Sequence, residues 1–76
     1  MEGLKIGGIY RHYKTGEYEV LGLCRIEATN EEAVMYKSLY TSHDFPAGTI
    51  WVRPLPSFME TVEWEGKNLP RFTLVS

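Results

Sequence analysis

Seventy-six residues, 43% of them apolar and 13% aromatic, suffice for one small globular domain over residues 1–76 and leave no room for a second. A formal net charge of −2 argues against a protein that holds nucleic acid chiefly by neutralising phosphates, and a lone Cys24 excludes an intramolecular disulfide. No apolar run resembles a secretory leader or approaches the roughly 20 residues that span a bilayer, so a cytoplasmic protein without a membrane partner is expected.

The charge is unevenly spread. Lys5, Arg11, Lys14 and Arg25 outnumber the acids of the first 26 residues, whereas residues 27–65 carry seven acids against Lys37 and Arg53, and Lys67 and Arg71 follow in the tail. A modest positive patch is expected where the two ends meet.

In chain order, the first element is a hairpin. Tyr10 to Lys14 and Glu17 to Glu27 are rich in β-branched and aromatic residues and flank Thr15 and Gly16, with the glycine free to take positive φ. With Thr15 and Gly16 as a two-residue loop, Lys14 faces Glu17, Tyr13 faces Tyr18, His12 faces Glu19 and Arg11 faces Val20. Lys14, Glu17, His12 and Glu19 then share a solvent face, and Ile9, Tyr13, Tyr18, Val20, Cys24 and Ile26 a core face. Leu21 and Leu23 break the alternation, so the strand is expected to be covered on both sides at its middle. Gly22 there marks a bend or bulge.

Residues 28–40 carry two patterns. Tyr36, Leu39 and Tyr40 have helical spacing and Thr29 with Glu32 resembles a capping box, but Val34, Met35 and Tyr36 favour a strand entered through a turn at Asn30, and strand is the reading adopted. A loop over 41–49 follows, with Gly48 permitting the return. Ile50 to Arg53 is a short strand halted by Pro54, which has no N–H for a ladder. Pro56, Ser57 and Glu60 read as a single helical turn near residues 57–61, capped by the serine. Val62 and Trp64 alternate with acids as an edge strand, Glu65 to Asn68 form a Gly-containing turn, and Arg71 to Val75 is the last strand. Five or six short antiparallel strands with one helical turn before the last suit an all-β, small SH3-like barrel.

The segments GIYRHYKTGEYEVLG, AVMYKSLY and IWVRPLPSFMETVEWEGKNLPRF resemble a family of small bacterial proteins known only as a domain of unknown function. The motifs matched are Gly8 with Tyr10 to Lys14, Tyr18 to Val20, Tyr36 to Tyr40, Trp51 to Pro54, Phe58, and Pro70 to Phe72. Members of that family usually have glycine directly after the lysine, whereas this chain has Thr15 there and Gly16 next. The resemblance implies a small all-β barrel; it implies no activity, substrate or catalytic residue.

Chemistry is sparse. Cys24 on the core face reads as an inert small hydrophobe, and the hairpin register puts His12 on the opposite face, so a Cys–His nucleophile is not expected. His12, His43 and Cys24 lack metal-ligand spacing; neither a metal nor another cofactor is expected. Glu63 and Glu65 read as solvated edge charges, and Gly7 and Gly8 as no phosphate loop.

What remains is an aromatic and basic set: Tyr10 to Lys14, with Trp51, Arg53, Arg71 and Phe72. Tyr and Trp bury area while keeping a polar end, and Arg stacks on rings or grips a carboxylate or phosphate with paired N–H groups. The plain alternative is that these rings fill a barrel while Arg53 and Arg71 pair with Glu60, Glu63 or Glu65. The expectation is a non-enzymatic binding module, monomeric or weakly self-associating, that presents Tyr10, His12, Tyr40, Trp51, Arg53 and Arg71 to a protein or peptide partner. The alternative is a nucleic-acid-binding or nucleic-acid-enzyme accessory domain that uses the same patch.

Overall fold

Period-two alternation sets the scaffold. In the computed structural model, which describes residues 4–76, Tyr18 and Val20 are buried on one face of the longest strand, β2 (Glu17–Ile26), while their neighbours point away. β2 lies between β1 (Ile9–His12) and β3 (Glu31–Ser38), and β4 (Ile50–Pro54) pairs with β3. A short helix, α1 (Leu55–Met59), leads to a hairpin of β5 (Thr61–Trp64) and β6 (Lys67–Pro70), and β7 (Phe72–Leu74) returns to pair with β1. The described residues thus form seven strands in two antiparallel sheets, one ordered β4-β3-β2-β1-β7 and the other β5-β6. The architecture is all-β and consistent with an SH3-like barrel, with more strands than the five or six expected because the tail folds as β5, β6 and β7.

Residues 28–40 resolve as a strand. Asn30 takes φ 65 in the turn joining β2 to β3, and its N–H donates to the Ile26 carbonyl at 2.6 Å. Thr29 Oγ1 donates to Glu31 rather than capping a helix with Glu32. Gly22 marks the expected bulge, where the β2–β3 register slips between Val20 and Gly22. The expected cover over Leu21 and Leu23 is absent: Leu21 is half-buried and Leu23 is 42% exposed. Beyond the bulge β2 has left the core, which also leaves Cys24 and Ile26 only half-buried.

The first hairpin has a different register from that expected. Tyr10 pairs with Tyr18, Arg11 with Glu17 and Ile9 with Glu19, three residues out of step with a two-residue loop at Thr15 and Gly16. An odd shift exchanges faces. Tyr10 and His12 therefore join Tyr18 and Val20 on the inner face, Tyr13 leaves it, and Glu19 pairs with Lys37 at 3.5 Å instead of facing His12. Arg11 is exposed and binds Glu17 at 2.6 Å.

Gly16 explains the error. It is not among the positive-φ residues; instead, a Cβ there would lie 2.6 Å from Tyr40 Cε1 and overlap the ring. Glycine is needed for the close approach of Tyr40 and not for turn geometry. The two-residue glycine hairpin occurs at the other end, where Glu65 (φ 51) and Gly66 (φ 78) join Trp64 to its partner Lys67.

The helical turn begins two residues earlier than expected, and Ser57 does not cap it. Pro54 occupies the N-cap and has no side-chain hydrogen bond, and Ser57 lies inside the helix, where its hydroxyl accepts from Arg53 Nη1 at 2.9 Å. The helix buries Leu55 and Phe58 against Tyr10, Tyr18, Val20, Val34, Tyr36 and Phe72. Phe58 is 1% exposed and stacks on Phe72 with centroids 4.1 Å apart and planes 7° from parallel.

Candidate functional site

At one end of this aromatic core the sheet opens into a cleft of about 180 Å³, lined by His12, Thr15, Tyr18, Tyr36, Trp51, Arg53 and Phe72. Six of the seven arrive through strand alternation, and Thr15 comes from the turn between β1 and β2. Trp51 and Arg53 are alternate residues of β4, paired with Tyr36 and Val34 of β3; Tyr18 comes from β2, and His12 lies opposite Phe72 where β1 meets β7. The walls interlock edge to face: Tyr18 with Tyr36 at 5.3 Å and with Phe72 at 5.8 Å, His12 with Phe72 at 5.0 Å. Phe45, from the 41–49 loop, props the outer side of Trp51 at 4.9 Å and 79°.

The polar groups fall into two kinds. Some are occupied: Tyr18 and Tyr40 hydroxyls lie 2.6 Å apart, and Tyr18 also meets Thr15 Oγ1 at 3.3 Å. Burial, then the bond and proximity to Tyr40, push the Tyr18 phenol up to about 12, with Thr15 opposing; it stays neutral and is no base at pH 7. His12 Nδ1 accepts the Lys14 backbone N–H at 3.1 Å, which leaves the proton of the neutral ring on Nε2. Burial first, then the charges of Arg53, Arg71 and Lys14, hold His12 below 6.5. The actual register removes the Glu19 carboxylate that the sequence register set opposite His12 and leaves cations around the ring.

Other donors have no acceptor on the protein. Trp51 Nε1 and Arg53 Nε are both shut off from solvent and make no hydrogen bond among the described residues. The only side-chain hydrogen bond that Arg53 makes there runs from Nη1 to Ser57, and none of the ion pairs of the described residues involves it. Arg71 behaves differently: Nε donates to the Ser57 carbonyl at 3.1 Å and Nη2 to Glu60 at 2.7 Å. The plain ion-pair reading therefore holds for Arg71 and fails for Arg53.

Of the residues expected at a site, His12, Trp51 and Arg53 meet at the cleft. Tyr10 does not; it is 3% exposed in the core and its hydroxyl accepts the Lys5 N–H at 2.8 Å. Tyr40 stands one step behind, holding Tyr18, and Arg71 acts on the cleft through its charge near His12. Sequence reasoning missed Thr15, Tyr18 and Tyr36 as walls, and it put Phe72 in the aromatic and basic set without carrying it into the expected site. The tyrosines were legible only as core, and the signal that would have found them is their place on inner faces of adjacent strands beside Trp51. The ends of the chain do meet through β1 and β7, but Glu17 and Glu60 neutralise Arg11 and Arg71 there.

A family model described as "Protein of unknown function (DUF1653)" matches residues 8–74. The fold is similar to a crystal structure of a DUF1653 protein from Bordetella bronchiseptica, with TM-score 0.82 and 37% identity, covering 99% of this chain and 91% of that one. No curated protein matches the chain.

Proposed function

The chain belongs to the DUF1653 family, and we propose that it serves as a non-enzymatic binding module whose cleft takes one group of a protein or peptide partner. The observation that carries this reading is the pair of buried, acceptor-less N–H groups on Trp51 and Arg53 in an otherwise interlocked aromatic cluster. A buried donor without a partner costs about 1–3 kcal/mol, and a ligand acceptor would remove that cost. Catalysis finds less support: the lining contains no carboxylate or thiol, Tyr18 stays protonated, and His12 has no nucleophile bonded to it.

A peptide is favoured over a nucleic acid by position and charge. Trp51 and Arg53 belong to β4, the edge of the larger sheet, where an extended segment adds by strand pairing and sends alternate side chains inward. Seven acids in residues 27–65 would repel a polyanion extending beyond the cleft. The test is a random peptide pool and a random RNA and DNA pool offered to the isotope-labelled chain. Peptide binding that tolerates added salt, perturbs His12, Trp51 and Arg53, and vanishes in Trp51→Ala is the expected result. Oligonucleotide binding that weakens steeply with salt would establish the accessory-domain alternative, which draws on the cations gathered around His12.

A further inference from the structure

The lining of the cleft is one-sided. His12 Nε2, Trp51 Nε1 and Arg53 Nε are N–H groups, two of them buried without acceptors, and none of the seven lining residues is acidic. What completes such a surface is an acceptor, and Arg53 makes it an anion, because a guanidinium keeps its charge at any physiological pH. The shape narrows the anion further. Ser57 takes Nη1, so the guanidinium offers its Nε side, the edge at which two parallel N–H groups match the two oxygens of a carboxylate. The remaining walls are the rings of Tyr18, Tyr36, Trp51 and Phe72, which give a flat carboxylate apolar contact but would leave the third and fourth oxygens of a phosphate facing rings.

We propose that the cleft is a carboxylate site in which Arg53 and the indole N–H of Trp51 hold the two oxygens, after a side-chain shift that opens these two N–H groups, closed to solvent in this structure, toward the cleft. The inference rests on the cleft being the binding site. The carboxylate can come from a chain terminus, from an acidic side chain or from a free organic acid, which share this chemistry. Arg71 is excluded as the anchor because Glu60 and Ser57 already occupy it.

The experiment titrates the isotope-labelled chain with benzoate, with its neutral isostere benzamide and with inorganic phosphate, following the Trp51 indole and Arg53 Nε–H resonances. Benzoate is expected to shift both saturably and to bind at least tenfold tighter than benzamide or phosphate. Arg53→Gln is expected to lose tenfold or more, and Trp51→Phe, which keeps the ring, to lose severalfold while leaving the rest of the spectrum in place. Equal binding of benzoate and benzamide at these resonances, or preference for phosphate, would overturn the carboxylate while leaving the cleft as the binding site. Shifts confined to other surfaces, or none with any probe, would overturn the cleft as well. A random hexapeptide pool with free and with amidated C-termini assigns the source. Loss on amidation names the chain terminus, retention names acidic side chains, and failure of both pools while benzoate binds names a small acid.

Discussion

The aromatic cluster has a closed end and an open end, built from the same residue types and sharing Tyr36 and Phe72. At the closed end Phe58 stacks on Phe72, Tyr10 meets Phe58 edge-on at 5.6 Å, and the Tyr10 hydroxyl is hydrogen-bonded. At the open end His12, Trp51 and Arg53 face the same rings, with two donors left over. The density of rings does not separate the two ends. Polar saturation does: the closed end hydrogen-bonds its Tyr10 hydroxyl, and the open end, where we propose that a ligand binds, leaves two N–H groups over.

The largest test of the contrast is Phe58→Ala. Truncating a ring this deeply buried costs about 3–5 kcal/mol, comparable to the whole stability of so small a domain, and urea unfolding should show the loss. A cost below about 1 kcal/mol would mean that the closed end is not the structural one. Next comes Gly16→Ala. The added methyl overlaps Tyr40, whose ring is pinned through its hydroxyl to Tyr18, so about 1–3 kcal/mol should be lost, with the Tyr18 and Tyr40 resonances displaced. Conversely, a turn-geometry role alone would leave Gly16→Ala silent, since no positive φ is involved there.

The smallest effect, and the sharpest, is the titration of His12. Its folded pKa lies below the unfolded value of 6.5, so the unfolded chain binds the proton more readily. The stability that neutral His12 contributes is complete above pH 6.5 and is lost as pH falls through 6.5 toward the folded pKa. Side-chain NMR should place the midpoint below 6.5, and His12→Gln should flatten the corresponding slope of stability against pH. A raised midpoint would restore the Glu19 partnership and the original hairpin register.

Where sequence reading succeeded, the signal was local. Asn30 at a turn, Gly48 in the return loop and Pro54 at the end of β4 each act through their own φ or missing N–H, and Gly22 marks the bulge in its own strand. It failed at Gly16, whose reason is a ring twenty-four positions away, and that one failure moved every side chain of β1 to the other face. The candidate site was half legible for the same cause. Trp51 and Arg53 follow from alternation along β4, and His12 was singled out by type; but Tyr10 was proposed for a surface it never reaches, and Phe72 joins the cleft only because β7 lies against β1. Ser57 misled in another way, since the helix begins ahead of it and leaves it inside rather than at the cap, with its hydroxyl accepting from Arg53.

The pairing of β1 with β7 also bears on how the molecule comes into being. Arg11 and Thr73 meet from opposite ends of the polypeptide, and that closure carries a large chain-entropy cost before any reward arrives. Phe72, the residue it delivers, is at once a wall of the cleft and the stacking partner of Phe58. The walls of the cleft are therefore complete only when β7 docks on β1, so that closing the larger sheet and assembling the proposed binding surface are one event.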